Sequence, residues 1–73
     1  MSRLPSLRPR QVVAVLKKAG FEETRQSGSH LHLAHPNGRE VVIPIHAKDL
    51  KRGTLLAIIK QAGYSAEEFQ QLL

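Results

Sequence analysis

The chain has 73 residues, 41% of them hydrophobic and 23% charged, with no cysteine and a formal net charge of +5. That length allows one domain, residues 1–73, of modest stability, and the missing cysteines exclude a disulfide-stapled secreted scaffold. All eleven Lys and Arg lie within residues 1–60 against four acids there (Glu22, Glu23, Glu40, Asp49), a body near +7 that should attract a polyanion such as nucleic acid, followed by a tail near −2 with only Glu67 and Glu68.

The opening MSRLPSLRPR carries basic residues with no apolar run after them, so it is not a signal peptide. The longest apolar runs, Val12 to Leu16 and Leu55 to Ile59, fall far short of a membrane span, and the expectation is a soluble, cytoplasmic protein that does not engage a membrane. Ser6 to Gly20 has helical spacing, with Val12, Val13, Leu16 and Ala19 on one face, Pro9 suited to a first turn and Gly20 to a stop. Phe21 to Gln26, FEETRQ, is a polar first strand.

The next stretch, SGSHLHLAHPNG, places three of the four histidines within six positions. Successive side chains of a strand point to opposite faces. Leu31 and Leu33 therefore share the core face, and His30 and His32 the outer one. His35 has the leucine parity but lies beside the turn, and solvation is expected for it. Pro36-Asn37-Gly38 is a hairpin signal, since Asn and Gly tolerate positive φ. The returning strand, Arg39 to His46, puts Val41, Ile43 and Ile45 inward, and Val42, Pro44 and His46 outward beside His30 and His32. Pro44 lacks a donor and belongs on an edge or at a strand end. A second helix spans about Lys51 to Ala62, with Leu55, Ile58, Ile59 and Ala62 inward and Gly63 as its stop. Thr54 suits its cap or first turn, and Gly53 eases the bend. Ser65-Ala66-Glu67-Glu68 has the form of a capping box for a short last helix ending at Leu73. The fold class expected is α+β: α-β-β-β-α with a short C-terminal helix, and a three-stranded antiparallel sheet with helices on one face.

Five segments in this order carry a family resemblance: Gly28-Ser29-His30, His35-Pro36-Asn37-Gly38, Pro44-Ile45-His46, Leu50-Lys51-Arg52-Gly53-Thr54-Leu55 and Ile59-Lys60-Gln61-Ala62-Gly63. Together they resemble the HicA toxins, the YcfA-like mRNA interferases of HicA/HicB toxin–antitoxin systems, over about four-fifths of the chain. The resemblance implies a fold like a double-stranded-RNA-binding domain, metal-independent cleavage of mRNA by one histidine, and neutralisation by a HicB-type antitoxin. The family's catalytic histidine corresponds to His30, and its Pro-x-His segment to Pro44-Ile45-His46. The chain departs from many members at Leu31, where they carry a histidine or an aromatic residue, and at Lys51, where they carry proline.

The chemistry is sound on its own terms. RNA supplies its own nucleophile, the 2′-hydroxyl, so cleavage needs a base, an acid and cations for the phosphate. Histidine, with an ordinary pKa of about 6.5, serves as either proton carrier at cellular pH. His30 takes one of these roles, and Ser29, His32 and His46 are possible supporting residues. Gly28 with its neighbouring amides, Lys48, Lys51, Arg52 and the helix start at Thr54 are the expected RNA- and phosphate-binding groups. The competing reading of His30, His32 and His46 as metal ligands has suitable spacing but lacks a cysteine or a well-placed acid, so no metal and no other cofactor is expected. The chain's three aromatics, Phe21, Tyr64 and Phe69, are too few for a base-stacking sheet, so binding should run through phosphates and shape. A non-catalytic RNA-binding module of the same fold is the alternative function. A protein-interaction domain whose basic face docks an acidic partner is a weaker third.

Overall fold

The computed structural model describes residues 4–73, so the part of the leader reading that falls on residues 1–3 lies outside the described residues. The chain enters in an extended segment in which Leu4 and Leu7 are buried. The Leu50 N–H donates to the Leu7 carbonyl at 2.9 Å, tying this segment to the loop before the second long helix. The expected helix start at Ser6 is therefore corrected. Helix α1 spans Pro9–Lys18, with Arg8 at its cap still extended (φ −84°, ψ 152°). Pro9 at the first helical position has the φ a first turn needs and gives up a donor that would be unpaired anyway. The Gln11 side chain accepts from the Arg8 N–H at 2.8 Å.

Both long helices end in the same way. At the end of α1, Lys17-Lys18-Ala19-Gly20-Phe21 closes with the Gly20 N–H on Lys17 O (3.0 Å) and the Phe21 N–H on Leu16 O (2.9 Å). Helix α2 (Arg52–Gln61) ends in Lys60-Gln61-Ala62-Gly63-Tyr64, with the Gly63 N–H on Lys60 O and the Tyr64 N–H on Ile59 O. This pair of bonds is the Schellman arrangement, which satisfies helix carbonyls otherwise left open. In each case the aromatic residue after the glycine returns to the core, Phe21 fully and Tyr64 partly.

Three antiparallel strands follow in the order β1 (Glu22–Ser27), β2 (His30–Ala34) and β3 (Glu40–Pro44). Strand β1 thus starts and ends one residue later than its sequence suggests. The register pairs His30 with Ser27 and Pro44, Leu31 with Gln26 and Ile43, and His32 with Arg25 and Val42. An irregularity between Glu23 and Arg25 leaves Thr24 outside the pairing. The core face carries Leu31, Leu33, Val41, Ile43 and Ile45, which cluster with Val12, Leu16, Leu55, Ile58 and Ile59 of the helices. Helices α1 and α2 pack against β3. Every residue of β1 is exposed, as EETRQS offers nothing apolar for either face to bury. Pro44 closes an edge strand, where its missing N–H costs no ladder bond.

The last helix, α3 (Ala66–Leu72), packs on α2 and inserts Phe69, which is fully buried. Its capping box is complete: the Glu68 N–H donates to Ser65 Oγ at 3.1 Å, and the Ser65 N–H to Glu68 Oε1 at 2.8 Å. No helix among the described residues is long and apolar enough to cross a membrane.

Candidate functional site

The tightest turn in the chain sets the position of His30. Ser27 and His30 are cross-strand partners, so Gly28 and Ser29 form a two-residue hairpin loop. Gly28 sits at φ +59°, the conformation that such a loop requires at its first central residue and that glycine adopts without strain. A Cβ there would meet no atom within 4 Å, so backbone conformation alone asks for glycine. Gln26 Nε2 donates to Gly28 O at 3.0 Å and stiffens the loop. On its far side, the Ile45 N–H donates to Ser29 O at 2.8 Å, joining the loop to the chain just beyond β3. Among the described residues, no backbone carbonyl accepts from the Gly28 or Ser29 N–H, which leaves these donors beside His30.

The strand parity expected for β2 holds. Leu31 and Leu33 are buried, His30 is exposed and His32 half-buried. The outer face around them contains Arg25, Ser27, Val42 and Pro44, each a cross-strand partner of one of the two histidines. Arg25 did not emerge from the sequence. Its place opposite His32 depends on the irregularity between Glu23 and Arg25, and residue alternation carries no signal for that. This puts a guanidinium next to the histidine pair, while Val42, 37% exposed, supplies an apolar flank.

His46 requires a correction. Strand β3 stops at Pro44, and His46 lies exposed in a turn in which the Ala47 N–H reaches Pro44 O at 3.4 Å. The cause is the length of β2, which begins at His30, the partner of Pro44: beyond the Ile45 bond to the Ser29 carbonyl no strand is left for β3 to pair with. His46 is nevertheless close in the chain to the site, two residues beyond His30's partner Pro44. Among the described residues, no group of three or more His, Asp or Glu side chains is placed to hold a metal ion.

His35 is also corrected, from a solvated residue to a structural one. Its Nδ1 accepts from the Asn37 N–H at 3.0 Å, which places the ring proton on Nε2, and Nε2 then donates to Ala19 O at 3.2 Å. The ring also lies edge-on to Phe21, with centroids 5.0 Å apart. His35 thereby caps the C-terminus of α1. It can approach so closely because residue 20 is glycine: a Cβ there would lie 2.8 Å from Nε2. The hairpin beside it forms as expected, with the Gly38 N–H on His35 O and the His35 N–H on Arg39 O, both at 2.9 Å. Only Gly38 takes a positive φ; Asn37 instead accepts from the Arg39 N–H through its side chain.

Apart from Gly28 in the hairpin loop, the expected phosphate-binding residues fall in two places. Lys51, Arg52 and Thr54 are the cap, first and third positions of α2, all exposed, so Thr54 is a first-turn residue and not the cap. No side chain caps this helix start and no acid stands in its first turn, so its N–H groups and positive potential face outward. Arg52 also lines a small cavity of about 70 Å³ with Leu4, Pro5 and Ser6. Lys48 lies apart from these, in a wide groove beside the start of α1.

A family model described as the HicA toxin of bacterial toxin–antitoxin matches residues 9–64, from the first residue of α1 through the tyrosine that closes α2. The matched span includes every candidate site residue above. No curated protein matches the chain significantly.

Proposed function

The chain belongs to the HicA toxin family, and from that membership we propose that it is an mRNA interferase, an endoribonuclease of the cytoplasm neutralised by a HicB-type antitoxin. The observation that carries the proposal is the division of labour among the histidines. The ring of His35 is committed to Ala19 and Asn37, whereas His30 is exposed, directly follows a rigid two-residue turn and engages no protein partner among the described residues.

In the reaction, the 2′-hydroxyl attacks the adjacent phosphorus as its proton passes to a base. The P–O5′ bond breaks as an acid protonates the leaving oxygen, giving a 2′,3′-cyclic phosphate and a 5′-hydroxyl. His30 carries one of these two protons. His32 or His46 carries the other, or binds phosphate beside it, and Ser29 supports the loop. Arg25 and the Gly28 and Ser29 amides oppose the charge that builds on the phosphate oxygens. Lys48, Lys51, Arg52 and the α2 start at Thr54 hold flanking phosphates, as expected of a basic surface of the double-stranded-RNA-binding type.

The test is substrate replacement. Ordinary RNA should be cut to products ending in cyclic phosphate, while the same oligonucleotide with 2′-O-methyl groups throughout should bind and remain intact. Equal cutting of the methylated strand would refute the mechanism. Binding without cutting of either strand would leave a non-catalytic RNA-binding module.

A further inference from the structure

An open groove of about 680 Å³ lies between the start of α1 and the loop after β3. Arg8, Arg10 and Lys48 line it, opposed by one acid, Asp49, over an apolar floor that includes Ile45. The only ion pair among the described residues joins Lys17 to Glu23, elsewhere, so the charge of these three cations is not spent within the protein. The α1 start contributes little by itself. Pro9 has no N–H, and the Gln11 N–H is turned back to Arg8 O at 3.0 Å. Recognition in this groove would therefore come from side chains, chiefly two guanidiniums, whose planar donor forks match phosphate oxygens.

The position of the groove relative to His30 gives it meaning. Ile45 and Ala47, both in its lining, flank His46 in sequence, and the Ile45 N–H is the donor that holds Ser29 O at 2.8 Å. One hydrogen bond thus separates the groove from the loop presenting His30. We propose that this groove is an RNA-backbone subsite in which Arg8, Arg10 and Lys48 hold phosphates of the strand flanking the one at His30. The assignment rests on the RNA-cleaving reading above and extends it to Arg8 and Arg10, of which Arg8 lies just before the family-matched residues 9–64. Phosphate contacts of this kind fix the register of a strand without reading its bases. An acidic protein segment is the rival occupant, but a groove one hydrogen bond from the His30 loop serves a substrate strand more directly.

The experiment measures binding of a fluorescent single-stranded 2′-O-methyl RNA to three folded proteins: the parent, Arg8→Gln with Arg10→Gln, and Lys18→Gln with Lys60→Gln. The last pair removes the same charge from the far ends of α1 and α2. The groove variant should bind about tenfold more weakly near 0.1 M salt, and its slope of log affinity against log salt should fall by about 1.4, two contacts at about 0.7 each. The control should stay within about twofold of the parent. Equal losses in both variants would reduce the effect to net charge and overturn the groove. Unchanged RNA affinity with lost antitoxin binding would overturn it in favour of the protein partner. A parent that binds no RNA would refute the RNA-cleaving reading and the groove together, an outcome distinct from a groove variant that binds like its parent.

Discussion

Replacing Gly20 by alanine should destabilise the protein by about 2–3 kcal/mol, for two separable reasons. Residue 20 sits at φ +104°, a conformation in which a Cβ costs about 1–2 kcal/mol. The new Cβ would also lie 2.8 Å from His35 Nε2 and push the ring off Ala19 O, forfeiting a half-buried hydrogen bond that contributes about 0.5–1.5 kcal/mol. A domain of this length is stable by roughly 4–11 kcal/mol, so the change is large enough to measure easily. His35→Ala alone should cost about 1–2 kcal/mol through the same bond and the lost edge contact with Phe21. Once His35 is replaced, Gly20→Ala adds only the backbone strain, so the two losses should fall short of additivity by about 1 kcal/mol, the hydrogen bond being lost once and not twice. Urea melts of the four proteins, compared at a common slope, give these numbers directly. A Gly20→Ala loss below about 0.5 kcal/mol, or strict additivity in the double variant, would refute the idea that His35 caps α1 through space opened by Gly20.

Arg25→Gln should weaken RNA binding a few-fold and lower the salt slope by about 0.7, the signature of one lost phosphate contact. An unchanged slope would remove Arg25 from the binding surface. Ser65→Ala should destabilise the protein by about 1 kcal/mol by opening the α3 cap, read as faster amide exchange at Phe69, whose N–H bonds to Ser65 O. The Ser65 N–H, and second the Ser65 hydroxyl, hold the Glu68 carboxyl below its usual range, with burial opposing only weakly. A carboxyl with a depressed folded value contributes stability above its unfolded value, about 4.3, and loses it as pH falls through the folded one. Circular dichroism should therefore show α3 fraying below about pH 4 in the parent, with a flatter profile in Glu68→Gln. Identical acid profiles would contradict the cap.

Alternation along β2 and β3 was legible because one face of each strand is buried, and a one-residue slip would have exposed Leu31, Leu33, Val41 and Ile43 together. The helix ends were legible too, since Gly20 and Gly63 each follow directly on the last apolar position of a helical stripe. Arg25 was not legible: its face depends on an irregularity two residues earlier, in a strand with no apolar residue to fix its register. Nor was His35, whose role requires a glycine fifteen positions away to leave space for its ring. The helix start at Pro9 was missed because Leu4 and Leu7 suit a helix as well as an extended segment, and only the bond from Leu50 to Leu7 decides between them. Alternation along β2 also put His30 on the outer face, where it lies exposed. His46 escaped the strand geometry because β2 begins only at His30, opposite Pro44, and offers β3 no partner further on.

The most direct measurement compares the purified parent with His30→Ala and His32→Ala on a long RNA in EDTA, with RNA binding measured alongside. Loss of one positioned acid or base lowers a rate by about 10²–10⁴-fold. His30→Ala should fall by that much while binding RNA like the parent, and His32→Ala should retain more activity. Cleavage by His30→Ala at the parental rate would contradict the assignment of proton transfer to His30.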